Sequence, residues 1–224
     1  LLDDNFRTIV RAISEGRQLF ANLQLAFAYL VLIHIPFVIS AAAIPLADNP
    51  LLYLPIHIVW LELIIHPTAL LVFQDIPSSD HLIPTQRGAP SHFFAPRVWI
   101  ALVISGLVLS AIISVGFEYA LGTAHNVEHA RSIALGALIG SSAAITAALS
   151  GMRSWTARIV VLGSLISLFL FVQVPILAES VHLKPLHTFD WGLVAAASAI
   201  AWLLASTVRS QMRPPQHAVI GSSG

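Results

Sequence analysis

The sequence predicts an all-α, polytopic membrane bundle of six transmembrane helices, preceded by a helix that lies outside the bilayer. Three observations predict it. Of 224 residues, 57% are hydrophobic and only 10% charged, where a soluble domain carries roughly a quarter of its residues as charged side chains. Six segments are apolar over the length of about 20 residues that a helix needs to cross about 30 Å of hydrocarbon. Lys and Arg also divide unevenly between the connections, in a pattern that only an even number of crossings produces. This composition excludes a disordered chain, a nucleic-acid-binding surface and an ordinary soluble enzyme. The 11 basic and 11 acidic residues cancel, and the absence of Cys removes disulfides, thiolate metal sites and cysteine nucleophiles. Membrane lipid is the expected surroundings.

The elements follow in order. Residues 6–22 have a helical period, with Phe6, Ile9, Val10, Ile13 and Leu19 or Phe20 at three- and four-residue steps and Arg7, Arg11, Glu15 and Arg17 elsewhere. This predicts a helix running straight into the first span, 23–47, which holds no formal charge. The second span, 54–74, carries one carboxylate, Glu62. The remaining spans are 98–117, 133–150, 159–178 and 191–208. Asp48-Asn49-Pro50 and Gly151-Met152-Arg153 are turn sequences, and residues 75–97, with four prolines, read as an irregular loop.

With both termini on one side, that side receives Arg7, Arg11, Arg17, Arg87, Arg97, Arg153, Arg158, Arg209 and Arg213. The other side receives only Arg131 and Lys184, so both ends are expected to be cytoplasmic. The expected division is a cytoplasmic stalk helix over 1–22, a transport domain over 23–208 and a cytoplasmic tail over 209–224. The first residues lack initiator Met and signal-peptide character, and the amphipathic stripe needs a partner. Either it lies on the membrane surface or it packs against a domain that precedes it.

An ionisable group near the bilayer centre costs about 2.5–3.5 kcal/mol on insertion scales, so each one needs a reason. At 1.5 Å of rise per residue, His34 lies about 16 Å into the first span, and Glu62 and His66 about 12 and 18 Å into the second. Glu62 and His66 are four residues apart and share a helix face. Pro36 and Pro67 each remove a backbone hydrogen bond beside these groups, and broken helices at the midplane are where transporters place ion sites. His34, Glu62 and His66 are therefore the candidate ion-binding residues, with His57 a weaker one nearer the outer surface. Purely structural readings stand beside these: a hydrogen-bonded interhelical His, and a Glu62–His66 pair that satisfies itself. His125, Glu128 and His129 form a second candidate cluster where the fourth span begins, with His182 and His187 in the next outer loop. Gly136 and Gly140 form a G-x-x-x-G that predicts close helix packing.

The segment Leu1-Leu2-Asp3-Asp4-Asn5-Phe6-Arg7-Thr8-Ile9-Val10, with Ala12-Ile13-Ser14-Glu15-Gly16-Arg17 and Asn22, resembles the stretch that leaves the phosphorylation domain of P-type cation-transporting ATPases. Pro55-Ile56-His57-Ile58-Val59-Trp60-Leu61-Glu62-Leu63 is similar to the start of that family's sixth helix. The resemblance implies transmembrane helices five to ten of such a pump, in a prokaryotic plasma membrane. It implies that Glu15, Gly16, Arg17 and Asn22 belong to the stalk that couples phosphorylation to transport. The phosphorylation, nucleotide-binding and actuator segments do not occur here, so this chain alone is expected to bind no ATP and to hydrolyse none. Mg and ATP are cofactors expected of the complete pump, none is expected of this chain, and the missing N-terminal half is its expected partner. Aligned with the family, His34 takes the place of a ligand Asn, Phe37 of a Glu, Glu62 of an Asn, Ile65 of a Thr and His66 of an Asp. Two imidazoles and a carboxylate suit a borderline divalent metal or protons better than the six to eight oxygens of a calcium site. Two other classes stay open: a non-transporting scaffold left by truncation, and a haem-binding electron carrier with His34 and His66 as axial ligands.

Overall fold

The computed structural model describes residues 2–76 and 93–212. Seven α-helices and one π-helical turn make up the described chain, and six of the helical segments are long and apolar enough to cross a membrane. Helix α1 runs unbroken over Leu2–Leu46, so the amphipathic segment and the first span are one 45-residue rod. Helix α2, Pro55–Pro67, continues as a π-helical turn, Thr68–Val72. Then come α3, Pro96–Ala124; α4, Val127–Ser150; α5, Trp155–Gln173; the short α6, Pro175–Ser180; and α7, Thr188–Met212.

Capping chemistry sets most of the boundaries. Asn126 opens α4 by accepting from the His129 backbone N–H at 3.1 Å, and Ser154 opens α5 through Ala157 at 3.1 Å. Gly151 ends α4 at φ 64, a left-handed conformation that suits a residue without Cβ, and the Arg209 guanidinium lies directly over it. The fifth span departs from expectation. Helix α5 stops at Gln173 instead of continuing to 178, because Pro175 has no N–H and holds Val174 extended at ψ 113. The irregular loop expected over 75–97 falls largely outside the described residues, as do 213–224 of the expected tail; α7 itself carries on to Met212.

Helix α4 is the centre of the bundle, packed against α7, α3, α5 and α1. Its small residues make this possible. A Cβ on Gly136 would lie 2.9 Å from Val194 Cγ2, and one on Gly140 would strike Ser198 Oγ, so α7 comes close enough only where α4 has no side chain. Glycine 106 of α3 gives α1 the same clearance, with Ile35 Cγ2 2.6 Å from the position of its missing Cβ.

Candidate ion-binding site

Two devices hold the site: a helix break on α2 and a row of hydroxyls on α4. Pro67 cannot donate to the carbonyl four residues back, and the chain widens into the π turn immediately after it. Thr68 repairs part of the gap by donating its hydroxyl to Ile64 O at 2.7 Å. One turn earlier, Glu62 brings Oε2 to 2.7 Å from His66 Nδ1. That ring nitrogen also lies 3.3 Å from the Glu62 backbone carbonyl, which takes its hydrogen bond, and Oε2 is closed off from solvent without a directed hydrogen bond of its own. The ring nitrogen is thus close to both the carboxylate and the backbone carbonyl of Glu62. The His66 side chain is 64% exposed and that of Glu62 32%, on the outward side of the described helices.

Between α1 and α4 sits a buried knot of hydroxyls that the sequence does not announce. Tyr29 of α1 and Ser142 of α4 share a hydrogen bond of 2.8 Å, and both are shut away from solvent. Thr68 and Thr146 lie within reach of the same phenol. Thr146 donates to Ser142 O at 2.8 Å and Thr68 to Ile64 O, so both hydroxyl protons are committed to backbone carbonyls. Their oxygen lone pairs are left to accept a hydrogen bond or to face a cation. Ser141 Oγ, also buried, has no hydrogen-bond partner among the described residues. The signal for this knot was present as Tyr29, Ser141, Ser142 and Thr146 inside apolar spans, but nothing in one sequence tells which faces converge.

The other predicted residues find separate places. His34 is half-buried, bonds through Nδ1 to Leu30 O of its own helix at 2.9 Å and stacks edge-on near Phe37. Phe37 and Ile65 are both packed into the apolar core. His34, Glu62 and His66 do not bring three ligand atoms together: among the described residues the only group of three or more that does so within 4.8 Å is His129, His187 and Asp190. His57 is fully buried, with Nδ1 accepting from Leu54 N–H at 3.2 Å and Nε2 donating to Val181 O at 2.6 Å. Both nitrogens are in use, so it fastens α2 to the turn after α6. His125 is the exposed left-handed cap of α3 at φ 51, and Glu128 pairs with Lys184 at 3.7 Å, so neither joins His129 in a cluster. At the other end, Ser40 and Tyr53 hydroxyls lie 3.0 Å apart, and burial pushes the Tyr53 phenol up, keeping it neutral.

The stalk residues divide as well. Glu15 pairs with Arg11 at 2.9 Å on an exposed face, and Gly16 has nothing within 4 Å of where its Cβ would be. Asn22 is different: it is buried, accepts from Gln18 at 2.7 Å and donates to Ile76 O at 3.2 Å. It thus ties the outer part of α1 to the chain leaving the π turn. Gln24, nearby, donates to Phe93 O.

A long unbroken lead-in helix and a bundle of helices long and apolar enough to cross a membrane define a polytopic membrane domain. Residues 50–210 match the family described as "Cation transporting ATPase, C-terminus", and the chain belongs to that family. It is 25% identical to a calcium-transporting ATPase of Bacillus subtilis, over 95% of this chain and 25% of that protein. It is 28% identical to the plasma membrane-type calcium-transporting ATPase 8 of Arabidopsis thaliana, over 59% of this chain and 13% of that protein. Calcium-transporting ATPase 1 of Bacillus cereus is 29% identical over 52% of this chain and 13% of its own length. The chain thus spans a quarter or less of the relatives it matches. It is a multi-pass membrane segment of a P-type cation ATPase.

Proposed function

We propose that this chain is the transport-site half of an ATP-driven cation pump, corresponding to helices five to ten, with its ends in the cytoplasm. Phosphorylation and ATP binding, with Mg, would take place in the preceding half of the complete pump. Glu62 is the group on which the ion loads. The observation that carries this is the state of Glu62 Oε2: shut off from solvent, with His66 Nδ1 at 2.7 Å as its neighbour, one turn before α2 widens into the π turn. A carboxylate in apolar surroundings is costly unless a cation or a proton neutralises it. Alternating access would move the π turn and, through Asn22, the stalk helix.

For the ion, two readings have support. Calcium is favoured by the likeness to calcium-transporting ATPases and by the buried hydroxyl oxygens of Tyr29, Thr68, Ser142 and Thr146. A transition metal or proton is favoured by the Glu62–His66 pair, whose imidazole replaces a hard oxygen ligand. We place calcium first, because His34 does not join that pair and the relatives are calcium-transporting ATPases. Both Glu62 and His66 are partly exposed on one side, where the preceding half of the pump would cover them and add ligands. The experiment is ATP hydrolysis by the complete pump, titrated with Ca2+, Mn2+, Zn2+ and pH. Stimulation by Ca2+ that is lost in Glu62→Gln supports the first reading, and stimulation by Zn2+ or pH alone supports the second. Turnover unchanged in Glu62→Gln would overturn both.

A further inference from the structure

We infer that His129, His187 and Asp190 form a transition-metal site that bridges α4 and α7 at the end of the bundle holding the α3–α4 turn, separate from the transport site. Asp190 Oδ2 stands 3.4 Å from His129 Nε2 and 3.3 Å from His187 Nδ1. A tetrahedral ion with bonds of about 2.0–2.1 Å has ligand atoms about 3.3–3.4 Å apart, so two edges of that tetrahedron are already formed. The third edge, between the two imidazoles, is within 4.8 Å and closes by turning His187, whose side chain is 84% exposed.

The two imidazoles and one carboxylate match a zinc-class ion with a fourth position left for water. The framework around them is stiff. The His129 backbone is fixed by the Asn126 cap, and Asp190 is 7% exposed and holds the His187 N–H at 2.8 Å. Ser132 of α4 grips Lys184 through both its N–H and its carbonyl, at 2.9 and 2.7 Å, and Gln173 grips Leu186 in the same way at 3.1 and 3.3 Å. The strand of chain that carries His187 is thus fastened to α4 and α5 before any ion arrives. Exposed His187 leaves the site open to the aqueous side, so an ion enters without crossing the bundle. A bound ion would staple α4 to α7 directly above the Gly136–Gly140 contact, where those helices are closest.

The test uses the full-length protein carrying this chain, purified in detergent, stripped with a chelator and bearing Glu62→Gln and His66→Ala so that the transport site does not compete. Co2+ is the probe and Zn2+ the competitor. The expected result is one tightly bound Co2+ with the strong visible absorption of four-coordinate cobalt, displaced by Zn2+ and lost in His187→Ala. Zn2+ should raise the melting temperature of the parent and not of His187→Ala. His187 is exposed, so that variant keeps the fold even if His129→Ala or Asp190→Asn does not. Cobalt bound equally by the parent and His187→Ala, or bound by neither, would overturn the site and leave the transport reading untouched.

Discussion

Helices α4 and α5 are neighbours in sequence, joined by a short turn, and both are apolar enough to span a bilayer. They meet opposite surroundings. Of the most apolar 18 residues in α4, 89% are buried, against 22% in α5. Hydrophobicity alone therefore does not say which helix is inside; side-chain size does. Helix α4 is built from Gly, Ala and Ser and lies between α1, α3, α5 and α7, whereas α5 turns Leu162, Leu165, Ile166 and Phe169 outward. In lipid there is no hydrophobic gain in burying Leu against Leu, so close approach and hydrogen bonds decide the interior. The same small residues that let α4 in also bring Ser142 and Thr146 to Tyr29.

The largest effect should come from the carboxylate. Glu62→Gln in the complete pump should weaken the apparent cation affinity roughly a hundredfold, a charged ligand of the ion being worth about 3 kcal/mol once the preceding half of the pump covers the site. ATP hydrolysis against cation concentration measures this. Next, Gly140→Leu should destabilise the bundle by about 1–3 kcal/mol or more through overpacking against Ser198. Gly163→Leu in α5, where nothing lies within 4 Å, should leave the melting temperature within a degree or two of wild type. Equal melting temperatures for the two variants would break the contrast between the helices. His57→Ala should cost about 1–3 kcal/mol by orphaning Val181 O, and should spare cation affinity in the protein that still folds. The smallest effect belongs to Glu15→Gln, whose exposed pairing with Arg11 should contribute less than about 1 kcal/mol to stability.

Much of this was legible in the sequence. The six spans, the continuous lead-in helix and the close-packing role of Gly136 and Gly140 all followed from hydropathy, period and residue size. Pro67 marked the place where α2 widens into the π turn, but Pro36, expected to break the first span beside His34 in the same way, lies inside an unbroken α1. A missing N–H removes one hydrogen bond, and packing decides whether the helix then opens. The end of α5 was misjudged because Pro175 sits in an otherwise apolar run and hydropathy does not register a backbone donor. The site was only half legible. Residues four apart on one helix, such as Glu62 and His66, meet for local reasons, but Tyr29 and Ser142 are 113 residues apart and meet only through packing. For the same reason His129 was grouped with His125 and Glu128, its neighbours in sequence, while its partners are His187 and Asp190.

The central proposal is that the hydroxyl knot formed by the buried helix α4 with Tyr29 of α1, and not the hydroxyls of the lipid-facing helix, helps hold the ion that loads on Glu62. The direct test is the cation concentration for half-maximal ATP hydrolysis in Tyr29→Phe, Ser142→Ala and Thr146→Val, with Ser164→Ala of α5 as the control. Each of the first three should raise it by about fivefold, close to 1 kcal/mol per lost oxygen contact, and the control should not move it. Unchanged half-maximal concentrations in all three, with Ser164→Ala equally silent, would contradict the account and confine the ion to other ligands.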